Sequence, residues 1–178
     1  MCGIAGIFKL NGNPVTSGEI KKMTSAIAHR GPDGDGVFTQ EHVGLGHRRL
    51  AILDISAKGA QPMMSKDGRW VIVFNGCIYN YQKLKLELQS KGHEFVSTSD
   101  TEVISEGLAA YGPSFFERLD GMFAVGAFDT QQQELWLSRD RFGVKPLYYW
   151  MGNGTLLFSS EVKAFMQYAD FKVEVDTH

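Results

Sequence analysis

The order of the predicted strands and helices restricts the fold of this 178-residue chain more than any other feature of its sequence. Alternating and continuous apolar patterns predict strands early and late in the chain, with a short one around Phe95. The longer predicted strands span 3–9, 42–54, 69–75, Gly121–Phe128, Leu135–Ser138, Leu147–Trp150 and Leu156–Phe158. Twenty glycines and only five prolines are typical of many strands joined by tight turns.

Four helices are predicted, and two of them follow each other in mid-chain. They span 18–28 with Ser17 as the cap, Tyr81–Leu88, a segment capped by Asp100 or Thr101 with Val103, Ile104, Gly107, Leu108 and Tyr111 on its buried face, and a short segment from Ser160 or Glu161 through Phe165. Because strands and helices do not alternate strictly, a parallel doubly wound sheet is disfavoured. The order predicts an α+β fold in which two mostly antiparallel sheets pack face to face and helices cover their outer surfaces.

Composition and charge argue against several classes of protein. The net charge is −2 and no basic run is present, so there is no electrostatic reason to expect a nucleic-acid or membrane partner. No apolar stretch approaches the roughly 20 residues of a membrane span, and the start carries no signal-peptide pattern. With only two cysteines, a reducing cytoplasm is the expected location. We expect one domain over 1–166 and the start of a linker over 167–178.

Cys2 is the first candidate for chemistry, because removal of Met1 would make it the first residue. One amino acid would then carry a thiol nucleophile and a free α-amine, whose ordinary pKa of about 7.7–8.0 leaves part of it neutral near pH 7. An N-terminal amine is one recognised base for such a nucleophile. A buried structural cysteine at the start of an edge strand is the alternative, and position alone favours it.

Asn75 and Gly76 follow the apolar segment 70–74 and predict an oxyanion hole. A side-chain amide and the next backbone N–H can converge on one oxygen, and each such donor is commonly worth about 3–4 kcal/mol. An Asn-Gly hairpin turn is the alternative, although the helix pattern that follows argues against a simple hairpin.

Two further positions could bind the charged ends of an amino acid. Arg48 or Arg49 could hold a carboxylate through two parallel hydrogen bonds, although a surface ion pair is favoured on sequence alone. Asp100 could receive an ammonium group and could also cap the helix that follows. The histidines have no metal-ligand spacing, and no metal site is expected. The charge-rich segment 138–149 is expected to support a pocket through buried salt bridges.

Several motifs in this order are similar to the glutaminase domain of class II glutamine amidotransferases, and most of all to that of glutamine-dependent asparagine synthetases. The resemblance extends from Met1 to about Phe165. The motifs are Met1-Cys2-Gly3-Ile4, His29-Arg30-Gly31-Pro32-Asp33, Arg49-Leu50-Ala51-Ile52-Leu53-Asp54, Asn75-Gly76 with Ile78-Tyr79-Asn80, Ser99-Asp100-Thr101-Glu102, Asp120-Gly121-Met122-Phe123-Ala124, the segment 139–149 and Ser159-Ser160-Glu161. Together these motifs favour a catalytic Cys2 over a structural one.

The resemblance implies the fold of N-terminal nucleophile hydrolases, a four-layer αββα sandwich, with residues 1–166 as the glutaminase domain. It implies that Cys2 attacks the carboxamide of glutamine and forms a γ-glutamyl thioester, releasing ammonia, while its own α-amine serves as base and acid. Asn75, through its side chain, and Gly76, through its N–H, would stabilise the oxyanion. Water would then hydrolyse the thioester to glutamate.

The resemblance also implies how glutamine is bound. Arg49 would bind the α-carboxylate and Asp100 the α-ammonium, and backbone groups near Ile52, Leu53 and Cys77 would complete the pocket. Members of the family usually have a glutamate where this chain has Cys77. The loss of that carboxylate removes one attraction to the substrate ammonium, so we expect activity to persist with weaker affinity for glutamine.

Glutaminase domains of this class supply ammonia to a second site, which in asparagine synthetases lies in an ATP-dependent domain. No cofactor is therefore expected here, and ATP and magnesium are expected only in such a partner domain or subunit. Two alternatives stay open: an amidase of the same fold that acts on another amide, and a non-catalytic regulatory or binding module. Cys77 is the only feature that favours the second.

Overall fold

A computed structural model describes residues 1–173, so the last five residues of the expected linker 167–178 lie outside the described part. The strands are β1 Gly3–Lys9, β2 Gly34–Gln40, β3 Val43–Arg49, β4 Met63–Met64, β5 Trp70–Ile78, β6 Gly121–Asp129, β7 Glu134–Arg139, β8 Tyr148–Gly152 and β9 Thr155–Ser159. The α-helices are α1 Ser17–Ala26, α2 Tyr81–Ser90 and α3 Asp100–Tyr111. Short 3₁₀ turns occupy Ala28–Arg30, Ala57–Gly59, Gly112–Arg118 and Val162–Gln167.

The strands form two sheets in which every pair of neighbours is antiparallel. One sheet has the order β2-β3-β1-β9-β8 and the other has the order β4-β5-β6-β7. Helix α1 packs on the outer face of the first sheet, and α2 and α3 pack on the outer face of the second. The predicted αββα sandwich is therefore confirmed.

The two sheets meet through a core of buried aliphatic and aromatic side chains. Phe158 of β9 has no exposed surface and lies in this core. A Cβ at Gly6 would approach the Phe158 ring to 1.9 Å, and a Cβ at Gly126 would approach it to 2.5 Å. Gly6 belongs to one sheet and Gly126 to the other. The ring fits between the sheets only because neither residue has a side chain.

Two helix starts differ from the prediction by one residue or two. Thr16, and not Ser17, caps α1, since its side chain accepts from the Glu19 N–H while the Glu19 carboxylate accepts from the Thr16 N–H. Ser99 caps α3 through the N–H of Thr101, and Asp100 is the first helical residue. The carboxylate of Asp100 is thus not used for the cap that the sequence suggested for it.

Four other element predictions are corrected. Segment 42–54 is a strand only to Arg49, because the chain then turns away from the sheet. Strand β5 continues to Ile78, so Asn75-Gly76 pairs with β6 and is not a hairpin turn. Phe95 lies in irregular structure, and the final helix is a 3₁₀ turn. Strand β2 was not predicted, since most of its residues are only half-buried and two of the first three are glycines.

Among residues 1–173, no helix combines the length and the apolar character that crossing a membrane requires.

Candidate active site

One pocket, with a volume of about 270 Å³, opens where the two sheets and the start of α3 meet. Its wall contains backbone or side-chain atoms from β3, β5 and α3 and from the loop that follows β3. Arg48, the alternative to Arg49, bonds the Thr24 carbonyl oxygen and Ser25 and does not line this pocket. The residues that the family resemblance implies for catalysis or glutamine binding all line the pocket. They are Cys2, Arg49, Ile52, Leu53, Asn75, Gly76, Cys77 and Asp100.

Cys2 lies directly before β1, the middle strand of the first sheet, and its thiol is half-buried. The Leu50 N–H donates to the Cys2 Sγ at 3.4 Å, and the thiol lies 3.6 Å from the Leu50 carbonyl oxygen. The Arg30 Nε donates to the Cys2 carbonyl oxygen at 3.0 Å, and its Nη1 donates to Glu161 at 3.0 Å. Burial acts against ionisation of Glu161, but hydrogen bonds from Arg30 and two neighbouring basic side chains lower its pKa to about 2.

Asn75 supplies the polar group that most needs a ligand. Its side chain is 1% exposed, and its Nδ2 has no hydrogen-bond partner among the described residues. A buried amide donor left unpaired costs about 1–3 kcal/mol, and an oxygen placed in the pocket would remove that cost. Gly76 follows it in β5 and has no room for a side chain, because a Cβ there would lie 2.3 Å from the Met122 carbonyl oxygen.

Arg49 ends β3 and holds the loop that forms the opposite wall. Its guanidinium donates to the carbonyl oxygen of Ser56 at 2.8 Å and to that of Asp54. A guanidinium carries five N–H donors, so these two contacts leave donors for a substrate carboxylate. Ile52 is 73% exposed, and Leu53 is also exposed. Their place on the wall is thus set by the backbone of the loop and not by burial of their side chains.

The same loop is fastened by two carboxylates. The Ala51 N–H donates to Asp33 at 2.9 Å, and the Thr98 N–H donates to Asp54 at 3.0 Å. Hydrogen bonds from Ser56 and Thr98 hold the pKa of Asp54 well below its usual range. These contacts join the loop to the segments before β2 and before α3.

Asp100 and Cys77 form the buried end of the pocket wall. Burial raises the pKa of Asp100, and the backbone N–H of Ile78, which donates to its Oδ2 at 3.0 Å, partly opposes that rise. Burial also raises the pKa of the Cys77 thiol, and the negative charge of Asp100 adds to the effect while Lys145 opposes it. Cys77 is therefore kept as a neutral thiol, which is the poor form for nucleophilic attack.

Comparison with known proteins assigns this chain to a family. The sequence model of a family described as a glutamine amidotransferase domain matches residues 1–178. This chain belongs to that glutamine amidotransferase family. Glutamine-hydrolysing asparagine synthetase 1 of Bacillus subtilis is 42% identical over 99% of this chain. A putative glutamine-hydrolysing asparagine synthetase 2 of Methanocaldococcus jannaschii is 41% identical over 93% of it.

The chain spans 28% of the length of the B. subtilis relative and 35% of that of the M. jannaschii relative. Among solved structures, the glutamine phosphoribosylpyrophosphate amidotransferase of B. subtilis matches 93% of this chain and 43% of its own, with a TM-score of 0.78 and 22% identity. This structural likeness shows that the two share a fold. The chain is a glutamine amidotransferase domain, and the resemblance drawn from its motifs is confirmed.

Lys145 lies on the pocket wall of the amidotransferase domain, although the sequence did not nominate it. It belongs to the charge-rich segment 138–149, for which buried salt bridges were expected. The structure has a different support there, because the Asp140 carboxylate accepts from four backbone N–H groups. Burial opposes this ionisation, yet these N–H donors lower the pKa of Asp140. Among residues 1–173 no ion pair involves this segment, and hydrogen bonds from backbone N–H groups to Asp140 hold it instead.

Within residues 1–173, no group of three His, Cys, Asp or Glu residues could hold a metal ion.

Gln61 is another wall residue that the sequence did not predict. Gln61 bridges two elements at the pocket, since its Oε1 accepts from the Phe74 N–H at 2.6 Å and its Nε2 donates to Thr101 at 3.1 Å. Gln61 stands in a polar loop, where no pattern marks it, and only its contacts across the fold identify it.

Proposed function

We propose that this domain hydrolyses L-glutamine to glutamate and ammonia through a thioester on Cys2. With Met1 removed, the Cys2 α-amine takes the thiol proton as sulfur attacks the carboxamide carbon. The resulting ammonium gives that proton to the departing nitrogen, so ammonia leaves and a γ-glutamyl thioester forms. Water then attacks the thioester carbon, and glutamate and the free thiol are regenerated.

The observation that carries this proposal is the buried Nδ2 of Asn75, which has no hydrogen-bond partner within residues 1–173 and belongs to a residue on the wall of the pocket that holds the Cys2 thiol. When sulfur attacks the carboxamide, negative charge develops on its oxygen. A fixed donor that has no partner in the free protein needs no rearrangement to meet that charge, which is the most effective arrangement for an oxyanion. Gly76 would add its backbone N–H to the same oxygen.

The charges of the wall fit an amino acid with free α-groups. Arg49 would take the α-carboxylate through its remaining N–H donors, and Asp100 would take the α-ammonium. Because burial raises the pKa of Asp100, an incoming ammonium would stabilise its ionised form. Backbone groups near Ile52, Leu53 and Cys77 would fix the position of the main chain of glutamine. Amides that lack one of these charged groups would lose a matched partner and bind less well.

The ammonia would pass to an acceptor site outside residues 1–166. The chain spans 28% and 35% of the two relatives named as asparagine synthetases, and their additional length supports an ATP-dependent domain or subunit as the partner. ATP and magnesium would be needed only there, and the cytoplasm would be the place of both reactions. Whether the acceptor is aspartate, a sugar or another acid depends on that partner.

The test is the release of glutamate from glutamine by the purified chain, with intact mass as a record of the N-terminus. We expect loss of Met1 and measurable hydrolysis. Cys2→Ala should lower kcat by about a thousandfold or more, because no other group on the wall replaces the nucleophile. Cys77→Ala is the matched control, since it removes the other thiol of the same pocket and should retain hydrolysis.

A glutamine analogue with an electrophilic carbon in place of the carboxamide gives a second reading. One molecule of the analogue should become covalently bound to the peptide that begins at Cys2, and mass spectrometry should detect the added mass there. Labelling of Cys77 instead, or hydrolysis by protein that retains Met1, would contradict the proposal. Faster hydrolysis of an amide without free α-groups would favour the amidase alternative.

A further inference from the structure

Lys145 carries a charged group into the pocket, and the reaction outlined above gives it no role. It lies in the connection between β7 and β8, and its side chain is largely hidden, with 7% of the residue exposed. Its Nζ lies 3.2 Å from the Sδ of Met1. The residue lines the same pocket as Cys2 and Cys77.

No ion pair explains this burial. Among the salt bridges of residues 1–173, none involves Lys145, and its only side-chain partner there is a thioether, which is a weak acceptor. A buried ammonium without a counter-ion is costly, so the fold must hold it in place by other means. A position maintained against such a cost is typical of functional sites.

The backbone of Lys145 is fixed on both sides. Its N–H donates to the Asp140 Oδ2 at 3.0 Å, and its carbonyl oxygen accepts from the Arg139 Nε at 2.7 Å. Arg139 also donates to the Gly143 carbonyl oxygen at 2.6 Å. The backbone from which the Lys145 side chain extends is therefore fixed, and this keeps its ammonium at the pocket.

The contact with Met1 locates this charge relative to the reactive nitrogen. Five covalent bonds separate the Met1 Sδ from the Cys2 nitrogen, so the Lys145 Nζ lies within about 10 Å of that nitrogen. Removal of Met1 takes away the thioether and turns the Cys2 nitrogen into an amine. The two nitrogens then lie within about 10 Å of each other at one pocket, where the interaction of two charges is stronger than in bulk water.

We propose that Lys145 is a positioning residue that keeps the Cys2 α-amine unprotonated, and so ready to accept the thiol proton. A second positive charge close to the fixed ammonium is disfavoured, which holds the amine in its neutral, basic form at lower pH. The inference rests on the proposed function for its catalytic consequence, but the state of the amine can be measured without any substrate.

The other ionisable groups around the amine do not replace this effect. Arg30, which donates to the Cys2 carbonyl oxygen, is neutralised by Glu161. Arg49 is the second cation on the wall, and its charge would be matched by the substrate carboxylate. Two wall carboxylates act in the opposite direction: Asp54, bonded by Ser56 and Thr98, and Asp100, bonded by the Ile78 N–H, favour a protonated amine. Cys77 stays neutral, and comparison of wild type with Lys145→Met isolates the share of the effect that is due to Lys145.

The experiment follows the protonation of the amine directly. The chain has two cysteines, so ¹⁵N-cysteine labels only two backbone nitrogens, and in protein that begins at Cys2 only one of them is an amine. Titration of its ¹⁵N shift gives its pKa. We expect a wild-type value below the ordinary 7.7–8.0 and a rise of roughly half to one pH unit in Lys145→Met.

Two variants serve as controls. Lys145→Arg keeps the charge and should keep the low value, and Lys21→Met removes the charge of an exposed lysine on α1 and should also leave it unchanged. The acid limb of the kcat/KM profile for glutamine should move upward by the same amount in Lys145→Met alone. A purely structural role would change thermal stability in that variant without moving either titration.

The outcomes separate the two proposals. A wild-type amine with an ordinary or raised pKa overturns the inference even if Lys145→Met fails to fold. An unchanged amine pKa in folded Lys145→Met overturns it as well. If the amine shifts as expected but glutamine is not hydrolysed, the inference about Lys145 stands and the proposed function fails.

Discussion

The two walls of the pocket are built in different ways. One wall consists of Cys2, directly before the middle strand of its sheet, and of Asn75 and Gly76 inside β5. The other wall is the loop 50–56, in which Ile52 is 73% and Ile55 is 82% exposed. The first wall is fixed by neighbouring strands, and the second is fixed mainly by hydrogen bonds to its backbone.

This difference separates chemistry from recognition. Groups that must meet developing charge work best when they are rigid and dry, and strands provide both conditions. Groups that select a substrate can lie on a loop, which tolerates variation without disturbing the core. Under the proposed function, the strand wall would govern the rate and the loop wall the affinity, and each of the following changes tests one side of that division.

The largest effect is expected on the strand wall. Asn75→Ala should lower kcat about 100- to 1000-fold, because it removes a preorganised oxyanion donor, and it should leave KM nearly unchanged. Stability should fall little, since the Nδ2 has no partner to lose among the described residues. Asn80→Ala is the matched control, because that amide bonds Arg118 and Asp120 outside the pocket. A KM effect without a kcat effect in Asn75→Ala would break the division.

The next effect concerns the acid stability of the strand that leads to the pocket. His47 in β3 is fully buried, and burial lowers its pKa to about 4 from an ordinary 6.5. The unfolded chain therefore binds one more proton than the folded one between these values, and the fold should lose up to about 3 kcal/mol as the pH falls from 6.5 to 4.

Urea unfolding at pH 7, 5.5 and 4.5 measures this loss. His47→Leu should remove most of the slope, whereas His29→Gln, at an exposed histidine, should retain it. The same slope in both variants would show that another group is responsible. Carboxylates with lowered pKa, such as Glu161, act at lower pH and do not account for this range.

A smaller effect is expected at Arg49, which ends β3 and holds the loop wall through two of its carbonyl oxygens. Arg49→Lys should raise KM for glutamine roughly tenfold or more with a modest change in kcat, because a lysine cannot hold a carboxylate and the two loop carbonyls in the same geometry. Arg48→Lys is the control: Arg48 bonds the Thr24 carbonyl oxygen and Ser25, away from the pocket. If both variants raise KM equally, Arg49 and the loop that it holds do not determine the affinity for glutamine.

The smallest effect is expected at Cys77, which joins the two walls. Cys77→Glu should lower KM two- to fivefold by adding a carboxylate near the substrate ammonium, a gain typical of one partly screened charge. Cys77→Ser, which adds no charge, should leave KM unchanged. Steady-state kinetics with both variants decide the matter, and an unchanged or higher KM in Cys77→Glu would refute this account of the residue.

The sequence predicts best where burial leaves a continuous apolar pattern. Strand β1 is predicted with its observed bounds, and the buried strands β5, β6 and β9 are predicted within a few residues. Strand β2 is missed because Gly34 and Gly36 interrupt its pattern. The strand expected around Phe95 does not form, since its apolar side chain packs on a helix core from an irregular segment.

The site follows the same rule. Motif residues that are close in the chain, such as Asn75 and Gly76, are accessible to sequence reasoning because their spacing carries the chemistry. The place of Lys145 cannot be predicted in this way, because its contact with Met1 joins residues 144 positions apart and no local sequence pattern indicates it. Long-range contacts of this kind depend on how the sheets stack, which periodicity alone does not specify.

The ring of Phe158 between Gly6 and Gly126 has a consequence for the reaction. The proposed nucleophile, Cys2, directly precedes a strand of one sheet and the proposed oxyanion donors lie in the other, so the thickness of the sandwich would itself be a catalytic distance. Whatever spreads the layers apart, even on the side remote from the substrate, lengthens the path between sulfur and amide. Under the proposed function, packing in the interior that never contacts glutamine would therefore affect turnover.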